Sequence, residues 1–510
     1  MFRSLLLLIG LVALWTLSLW FVLPIDLSVL PYRQLILLHV LPPLALGGVG
    51  LILRAWRRGR KARALARQQA DEEAQQREVM TTARQQREAE WTRLHFGCDC
   101  RAAVVTGLGD DASALKSALP ETPPADEEGE ESDTESDGDA AVVSPVLNAE
   151  LQEFAGPLRQ ALESIYQEIP AALALPVYLV PPTHISAIDI IALVRKSIHE
   201  IGARLDPPID VSPDKVQVAF APSGNDAADS VIELFDRNPD LPGAVLLAFD
   251  SPVQRNQVAY TQLATSAQRA AFAADLDERA AWSGAPGRAI VALLLTHPKI
   301  SAMLATIQGY SQDSDAAINA MTTFWERTAV PNGQLAALAR IAPAERETLG
   351  RQPVLARIHR SAFGQTELQA RTLELNRMCR SLMEKTLLAG GLLPTSRGSD
   401  DEAIAPIPET EESKPAALRW LVHNAGTVAR CGPRLSALAA AIRDLGFDLH
   451  PQDEATNVAS VSGDFGLATA WVMLAETVMR SSDTHGAALC ADFQQGAGVA
   501  MSVVKPAPGL

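Results

Sequence analysis

The spacing of apolar residues from residue 146 onward changes repeatedly between a helical and an extended pattern. The helix-like segments are LQEFAGPLRQALESIYQEI, AIDIIALVRKSIHEIGARL and DAADSVIELFDR, and the strand-like segments are LALPVYLVP, VQVAFAPSG and PGAVLLAFDSP. Residues 255–345 are mostly helical and Ala-rich, with one short apolar run at 289–297, and residues 416–505 return to the alternation. Strands that alternate with helices form parallel or mixed sheets. The pattern therefore predicts an α/β domain.

Two polar segments interrupt this alternation. Residues 100–120 predict a buried strand, a glycine turn and a helix, and they are followed at 121–140 by the acidic run ETPPADEEGEESDTESDGDA. Such a run cannot bury enough apolar surface to fold, so we expect an acidic surface loop, with a binding tail as the alternative. Residues 396–415 have a similar composition and are predicted to be a linker.

The N-terminus carries two long apolar stretches, Ser4–Leu23 and Leu35–Leu53, separated by a short loop. Each stretch is close to the ~20 residues that cross a bilayer. The basic segment RAWRRGRKARALAR follows, and positive charge beside a span stays in the cytoplasm. We expect a two-span hairpin in the inner membrane, with the bulk of the chain in the cytoplasm and the basic segment near lipid headgroups. A cleaved signal peptide would be shorter and end at a small-residue cleavage site.

Charge and cysteine content narrow the function classes. The net charge of −16 argues against a nucleic-acid-binding protein, whose contact face would be basic. The five cysteines are scattered, as expected in a reducing compartment. Cys98 and Cys100 have no second Cys/His pair at zinc spacing, and Gly107-Leu108-Gly109 lacks the third glycine of a dinucleotide fingerprint. The sequence predicts no metal and no cofactor.

Five segments, in order, resemble the β-ketoacyl synthases of the thiolase-like superfamily. They are VVTGLGDDASALKSAL, VAFAPSGNDAADSVIELFDRNPDLPGAVLLAFDS, HNAGT, GDFGLATAWVMLAETV and ALCADFQQGAGVAMSVV. The resemblance implies a layered fold of two pseudo-repeated α/β halves, and a homodimer that pairs through a sheet edge.

The resemblance and the N-terminal pattern together divide the chain. The segments are a two-span transmembrane hairpin (1–53), a basic helical stalk (54–97), the N-terminal thiolase-like half with its acidic loop (98–254), a helical insertion or connection (255–395), a linker (396–415) and the C-terminal half (416–510).

Condensation in that family requires a cysteine thiolate at a helix N-terminus and two histidines that stabilise the developing oxyanion. The resemblance places Phe220 at the nucleophile position, with Ser223 as a neighbouring substitute. It places Asp464 at the second histidine, and only His423 is retained. We therefore expect no condensing activity. Asp464 is interpreted as a helix N-cap and His423 as a loop histidine bonded to the backbone.

Three functions remain open from the sequence. The first is a binding or adapter protein built on an inactive synthase scaffold. The segment at 463–468, the closing strand and the membrane anchor resemble type VI secretion lipase adapters, which implies a lipase effector or a spike protein as partner. The second is an acyl-binding or acyl-transfer enzyme that uses Ser223 and His423, although the Gly-x-Ser-x-Gly elbow is missing. The third is a structural membrane protein whose stalk oligomerises.

Overall fold

A computed structural model describes most of the chain as two compact units, residues 1–92 and 93–510. The described residues are 2–22, 31–107, 145–206, 208–209, 216–239, 241–300, 349–350, 352–365, 372–393, 417–494 and 498–507. The acidic loop predicted at 121–140 and the linker predicted at 396–415 lie outside them, as do the helix predicted before residue 120 and most of the turn that precedes it.

The first unit contains helix α1, Phe2–Val22, and most of helix α2, Tyr32–Leu94. The sequence predicted a second span and a separate stalk, but α2 is continuous through both, because residues 54–94 are rich in Ala, Arg, Gln and Glu, which favour helix. Within the part of the chain that the structure describes, no helix combines the length and apolar character needed to cross a membrane. The predicted transmembrane hairpin is not confirmed.

The second unit is built around one mixed sheet of eleven strands. The strands are β1 Gly97–Thr106, β2 Val177–Val180, β3 Val218–Phe220, β4 Gly243–Asp250, β5 Ala289–Thr296, β6 Ala356–His359, β7 Ala362–Gln365, β8 Leu418–His423, β9 Ala455–Asn457, β10 Ala487–Phe493 and β11 Gly498–Pro506. Their order is β3-β2-β4-β5-β1-β6-β11-β10-β8-β9, and β7 pairs with β11. This confirms the predicted mixed α/β class.

The sheet contains the same strand arrangement twice. In the first half, β2 pairs in parallel with β3 and β4, while β5 is antiparallel to both β4 and β1. In the second half, β8 pairs in parallel with β9 and β10, while β11 is antiparallel to both β10 and β6. The two halves meet where β1 and β6 pair antiparallel. The chain therefore has an internal structural repeat.

Helices cover both faces of this sheet. They are α3 Pro145–Glu168, α4 Ala187–Gly202, α5 Ala227–Arg237, α6 Pro252–Thr261, α7 Ser266–Ser283, α8 Thr372–Ala389, α9 Gly432–Asp444, the short α10 Val458–Val461 and α11 Thr469–Thr484. Helices α3 and α4 pack on the outer face of the first half, and α8 and α9 on the outer face of the second. Helices α5 and α11 share a third core with the inner faces of both halves. The result is five layers: α3 and α4, the first half of the sheet, α5 and α11, the second half of the sheet, and α8 and α9.

Strands β4 and β5 show why the two central faces are buried. Every residue of both strands is buried, and alternate side chains enter different cores: Val245 and Leu247 face α3 and α4, whereas Leu246 faces α5 and α11. The sequence division placed β5 in the helical connection 255–395, yet it pairs with β1 and β4 of the first half. A strand buried on both faces has no period-two pattern that would distinguish it from a helix segment.

Candidate functional site

A cavity of about 580 Å³ opens at the carboxyl ends of β2 and β3. Its apolar walls include Leu179, Ile185, Phe220, Leu467 and Trp471. Phe220 ends β3, and 45% of its surface is exposed. Ligands of open α/β sheets bind outside the carboxyl ends of parallel strands, so the position suits a binding site.

The start of α5 forms one wall of this first cavity. Asp226 is the N-cap of the helix, and its Oδ1 accepts a hydrogen bond from the backbone N–H of Asp229 at 2.7 Å. The hydroxyl of Ser361 donates to the same oxygen at 2.7 Å. Burial raises the pKa of Asp226 from 3.8 to about 7, and the negative charge of Asp492 acts in the same direction. The electropositive end of a central helix is thus occupied by the chain's own carboxyl group.

The loop before Asp226 is fixed tightly against the helix. The backbone N–H of Gly224 donates to Ser230 Oγ at 2.9 Å, and that hydroxyl donates to the Asp226 carbonyl at 2.8 Å. A Cβ atom at position 224 would lie 2.4 Å from the Ser230 nitrogen, so only glycine fits. Ser223 is exposed and lines the cavity, and among the described residues no side chain forms a hydrogen bond with it. Among the described residues, the predicted substitute nucleophile is therefore not hydrogen-bonded to a base.

A second cavity, of about 400 Å³, lies at the carboxyl ends of β8 and β10. It is more polar, with Asp464, Asp492, Asn424, Arg255 and Arg434 in its lining. Both cavities are lined by Leu467, Ala470 and Gln494, so they are immediate neighbours.

Asp464 lies just before a short 3₁₀ helix, Gly466–Ala468, that leads into α11. Its Oδ1 accepts a hydrogen bond from the Gly466 N–H at 2.8 Å and one from the Thr469 hydroxyl at 3.3 Å. The N-cap of the 3₁₀ helix is Phe465, so Asp464 lies one residue before the position predicted for it. Burial raises the pKa of Asp464. Asp464 Oδ1 therefore acts as a hydrogen-bond acceptor in this structure.

Asp250 contacts the backbone of the turn at Gly466. The Asp250 carboxylate is fully buried and accepts hydrogen bonds from Arg255 Nη1 at 3.0 Å and from the Leu467 N–H at 2.8 Å. Gly466 has a φ of +59°, and a Cβ there would lie 2.2 Å from Asp250 Oδ2. The glycine lets the backbone approach the carboxylate closely, and this contact ties β4 of the first half to the start of α11.

His423 ends β8 and lines neither cavity. Only 2% of its surface is exposed, and its Nδ1 accepts a hydrogen bond from the Ala425 N–H at 3.2 Å. Burial lowers the pKa of His423 from 6.5 to about 4, so the imidazole is neutral at pH 7. The structure brings Phe220 and Ser223 to the first cavity and Asp464 to the second. No hydrogen bond joins His423 to Ser223 among the described side chains.

A polar network between the halves was not predicted from the sequence. Asn424 donates to Asp492 Oδ1 at 2.7 Å, and its own oxygen accepts the Phe493 N–H at 2.6 Å. Gln494 Nε2 donates to the Asn225 carbonyl at 2.5 Å and to Asp492 Oδ2 at 3.4 Å. Burial raises the pKa of Asp492. The available sequence signal was a set of polar residues at the ends of apolar strands.

The Cys98-Asp99-Cys100 motif lies in β1, away from both cavities. Both sulfur-bearing side chains are buried and free, and burial raises the pKa of Cys100 to about 12. Asp99 pairs with Arg357 of β6 at 2.7 Å, where the two halves meet. The motif therefore lies in the packed seam of the sheet.

No protein-family model and no curated protein matches the sequence. Three similar solved structures are human mitochondrial 3-ketoacyl-CoA thiolase (8% identity, 81% of this chain and 100% of that chain, TM-score 0.39), Xanthomonas campestris OleA (10%, 81% and 99%, 0.36) and an oxazolomycin ketosynthase domain of Streptomyces albus (13%, 81% and 96%, 0.35). The first is named a thiolase and the third a ketosynthase domain. These TM-scores are below 0.5, so the description of the fold rests on the repeated strand order of this chain itself.

Proposed function

We propose that this chain is a thiolase-like binding protein without condensing activity. The observation that supports it best is the Asp226 carboxyl group at the N-terminus of α5. In the condensing enzymes that the sequence resembles, a helix N-terminus lowers the pKa of a cysteine thiolate. Here Asp226 accepts the Asp229 N–H at the N-terminus of α5, and Phe220 at the resembling position has no nucleophilic atom.

The two remaining catalytic positions support the same proposal. A condensing site needs donors aimed at the oxyanion. Asp464 presents a hydrogen-bond acceptor at the second cavity, and His423 is buried outside both cavities with its Nδ1 already accepting a backbone hydrogen bond. The three groups that would perform the reaction are therefore either replaced or turned away from the space where a substrate fits.

The first cavity is the proposed binding site for an apolar, acyl-like ligand. Its volume of about 580 Å³ lies within the range of roughly 300–1,000 Å³ that is typical of small-molecule sites. Its walls are formed by aliphatic and aromatic side chains from β2, β3 and the start of α11, and polar groups lie along its rim at Ser223 and Asp226.

The test combines binding with a search for chemistry. The purified full chain is titrated with 1-octanol and, separately, incubated with acyl and malonyl thioesters, followed by intact-protein mass spectrometry. We expect saturable octanol binding, about fivefold weaker in Phe220→Ser because apolar contact area is lost. Val428→Ser is the matched control, since Val428 is 84% exposed and lines neither cavity.

The opposite result would favour an enzyme. A condensation product, or covalent acylation that Ser223→Ala abolishes, would contradict the proposal and support the acyl-transfer alternative built on Ser223 and His423. Octanol binding with no mass change is the result expected for a binding protein.

A protein partner at the inner membrane remains part of the proposal and is supported by the sequence resemblance alone. The partner class is a lipase effector or a secretion spike protein, and the bulk of the chain would lie in the cytoplasm. Affinity purification of the full chain from membranes is the test. Recovery of a lipase or spike protein would favour the adapter role, whereas recovery of acyl-carrier proteins would favour a role in lipid synthesis. Light scattering of the purified chain tests the proposed homodimer.

A further inference from the structure

The guanidinium group of Arg434 lines the second cavity. It lies over the ring of Trp282 at 4.7 Å and over the ring of Phe493 at 5.2 Å, so two aromatic faces hold it in place. Its Nη1 donates a long hydrogen bond, 3.4 Å, to the Ala425 carbonyl. Burial lowers the pKa of Arg434, and among the described residues no carboxylate forms an ion pair with it.

The other charged groups of this cavity already have partners. Arg255 forms an ion pair with Asp250 at 3.0 Å, and Asp492 accepts hydrogen bonds from two amide side chains. Asp464 accepts the Gly466 N–H and the Thr469 hydroxyl. Removing a guanidinium from water without an anionic partner is unfavourable, and its five N–H donors fit a carboxylate or a phosphate in bidentate geometry. Of the described residues in this lining, Arg434 is the cation whose charge is unmatched.

The two cavities are neighbours of different character. The first is largely apolar and the second contains Arg434, and Leu467, Ala470 and Gln494 line both. We propose that Arg434 binds the acidic head group, carboxylate or phosphate, of an amphiphilic ligand whose apolar chain occupies the first cavity. This inference rests on the proposed binding function and adds the charge of the ligand to it.

Two carboxyl groups share the second cavity with Arg434, and their repulsion of an anion is limited. Amide and backbone N–H groups already face the oxygens of Asp464 and Asp492. Burial raises the pKa of both, so each takes up a proton more readily than an exposed aspartate when an anion approaches. Arg255 is paired with Asp250, so Arg434 is the cation of the described lining that is left to bind an anion.

Three probes with the same eight-carbon chain test the inference on the full chain: octanoate, octyl phosphate and 1-octanol. Trp282 lies against Arg434, so tryptophan fluorescence and calorimetry both report binding. We expect at least one anion to bind about tenfold more tightly than octanol, because charge-assisted hydrogen bonds are stronger than neutral ones. Comparison of octanoate with octyl phosphate identifies the head group.

Arg434→Gln is expected to remove the preference for anions and to leave octanol affinity unchanged, which also shows that the variant is folded. Arg430→Gln is the matched control, because Arg430 also lies over Trp282, at 5.7 Å, but does not line the cavity. Arg434→Lys keeps the charge without the planar fork and should retain part of the preference.

Equal affinity for all three probes, or an anion preference that survives Arg434→Gln, would overturn the inference and leave the proposed function standing. If none of the probes binds, the proposed function fails, and this inference fails with it.

Discussion

Replacing Asp226 by asparagine is expected to increase the free energy of unfolding at neutral pH. Asparagine keeps the shape of the side chain and an oxygen that can accept the Asp229 N–H and the Ser361 hydroxyl, so the N-cap of α5 is preserved. What changes is the charge. Burial disfavours the ionised form of Asp226 and raises its pKa to about 7, and an amide carries no such penalty.

The magnitude follows from the difference between the folded and unfolded pKa values of Asp226. From 3.8 to about 7 is about three pH units, which corresponds to at most about 4 kcal/mol at about 1.4 kcal/mol per unit. Because the folded pKa is raised, the contribution of Asp226 is fully present below the unfolded value. It is lost as pH rises from about 4 to about 7 and is constant above that range. Between about pH 6 and about pH 8 the advantage of asparagine should grow by about 1.4 kcal/mol.

Urea unfolding of the full chain at the two pH values, for wild type and Asp226→Asn, measures this difference directly. Asp448→Asn is the control, since Asp448 is exposed and forms no ion pair among the described residues. A gap between wild type and Asp226→Asn that is the same at both pH values would refute the reasoning, and so would a less stable variant at about pH 8. Either result would mean that the ionised carboxylate is well solvated or that its capping role dominates.

Two further predictions concern the neighbouring loops. Gly224→Ala should lower the free energy of unfolding, measured in urea, by about 2 kcal/mol or more, because the added Cβ would lie 2.4 Å from the Ser230 nitrogen. Gly432→Ala is the control. No atom lies within 4 Å of its added Cβ, so it should change the free energy of unfolding by less than about 1 kcal/mol. The imidazole of His423 should not titrate between about pH 8 and about pH 5 in NMR spectra, and a midpoint for His423 near its ordinary pKa would contradict its burial. His423 should also react more slowly with diethylpyrocarbonate than His450, because the side chain of His450 is exposed.

The alternation of helical and extended segments predicted the mixed α/β class correctly because each period reflects which face of an element is buried. It did not give the strand order, since pairing of β1 with β5 and β6 joins residues far apart in sequence. It also left β5 within a helical region, because AIVALLLT is apolar on both faces. The single helix α2 was divided in two at residue 53, where hydrophobicity changes but helix propensity does not.

The candidate site was only partly predictable for a similar reason. Phe220, Ser223, His423 and Asp464 were found through short motifs, yet a motif does not specify which space a side chain enters. Asp226 directly precedes the amphipathic run AADSVIELFDR. An aspartate in that position is an N-cap signal, so the sequence could have identified Asp226 as the N-cap of α5. Other groups had no local signal, because their partners lie far away in the chain. These are Arg434 with Trp282 and Phe493, and Gln494 with Asn225.

The internal repeat explains why two cavities lie side by side. Strands β2 and β8 hold equivalent places in the two halves, and each cavity opens at the carboxyl end of its strand, next to the start of a central helix. An aspartate accepts backbone N–H groups at both helix starts, Asp226 before α5 and Asp464 before α11. Each half therefore carries an acid close to the start of its central helix. With those acids in place, the halves differ in their walls, apolar in the first and charged in the second, and that difference favours one ligand with two unlike ends.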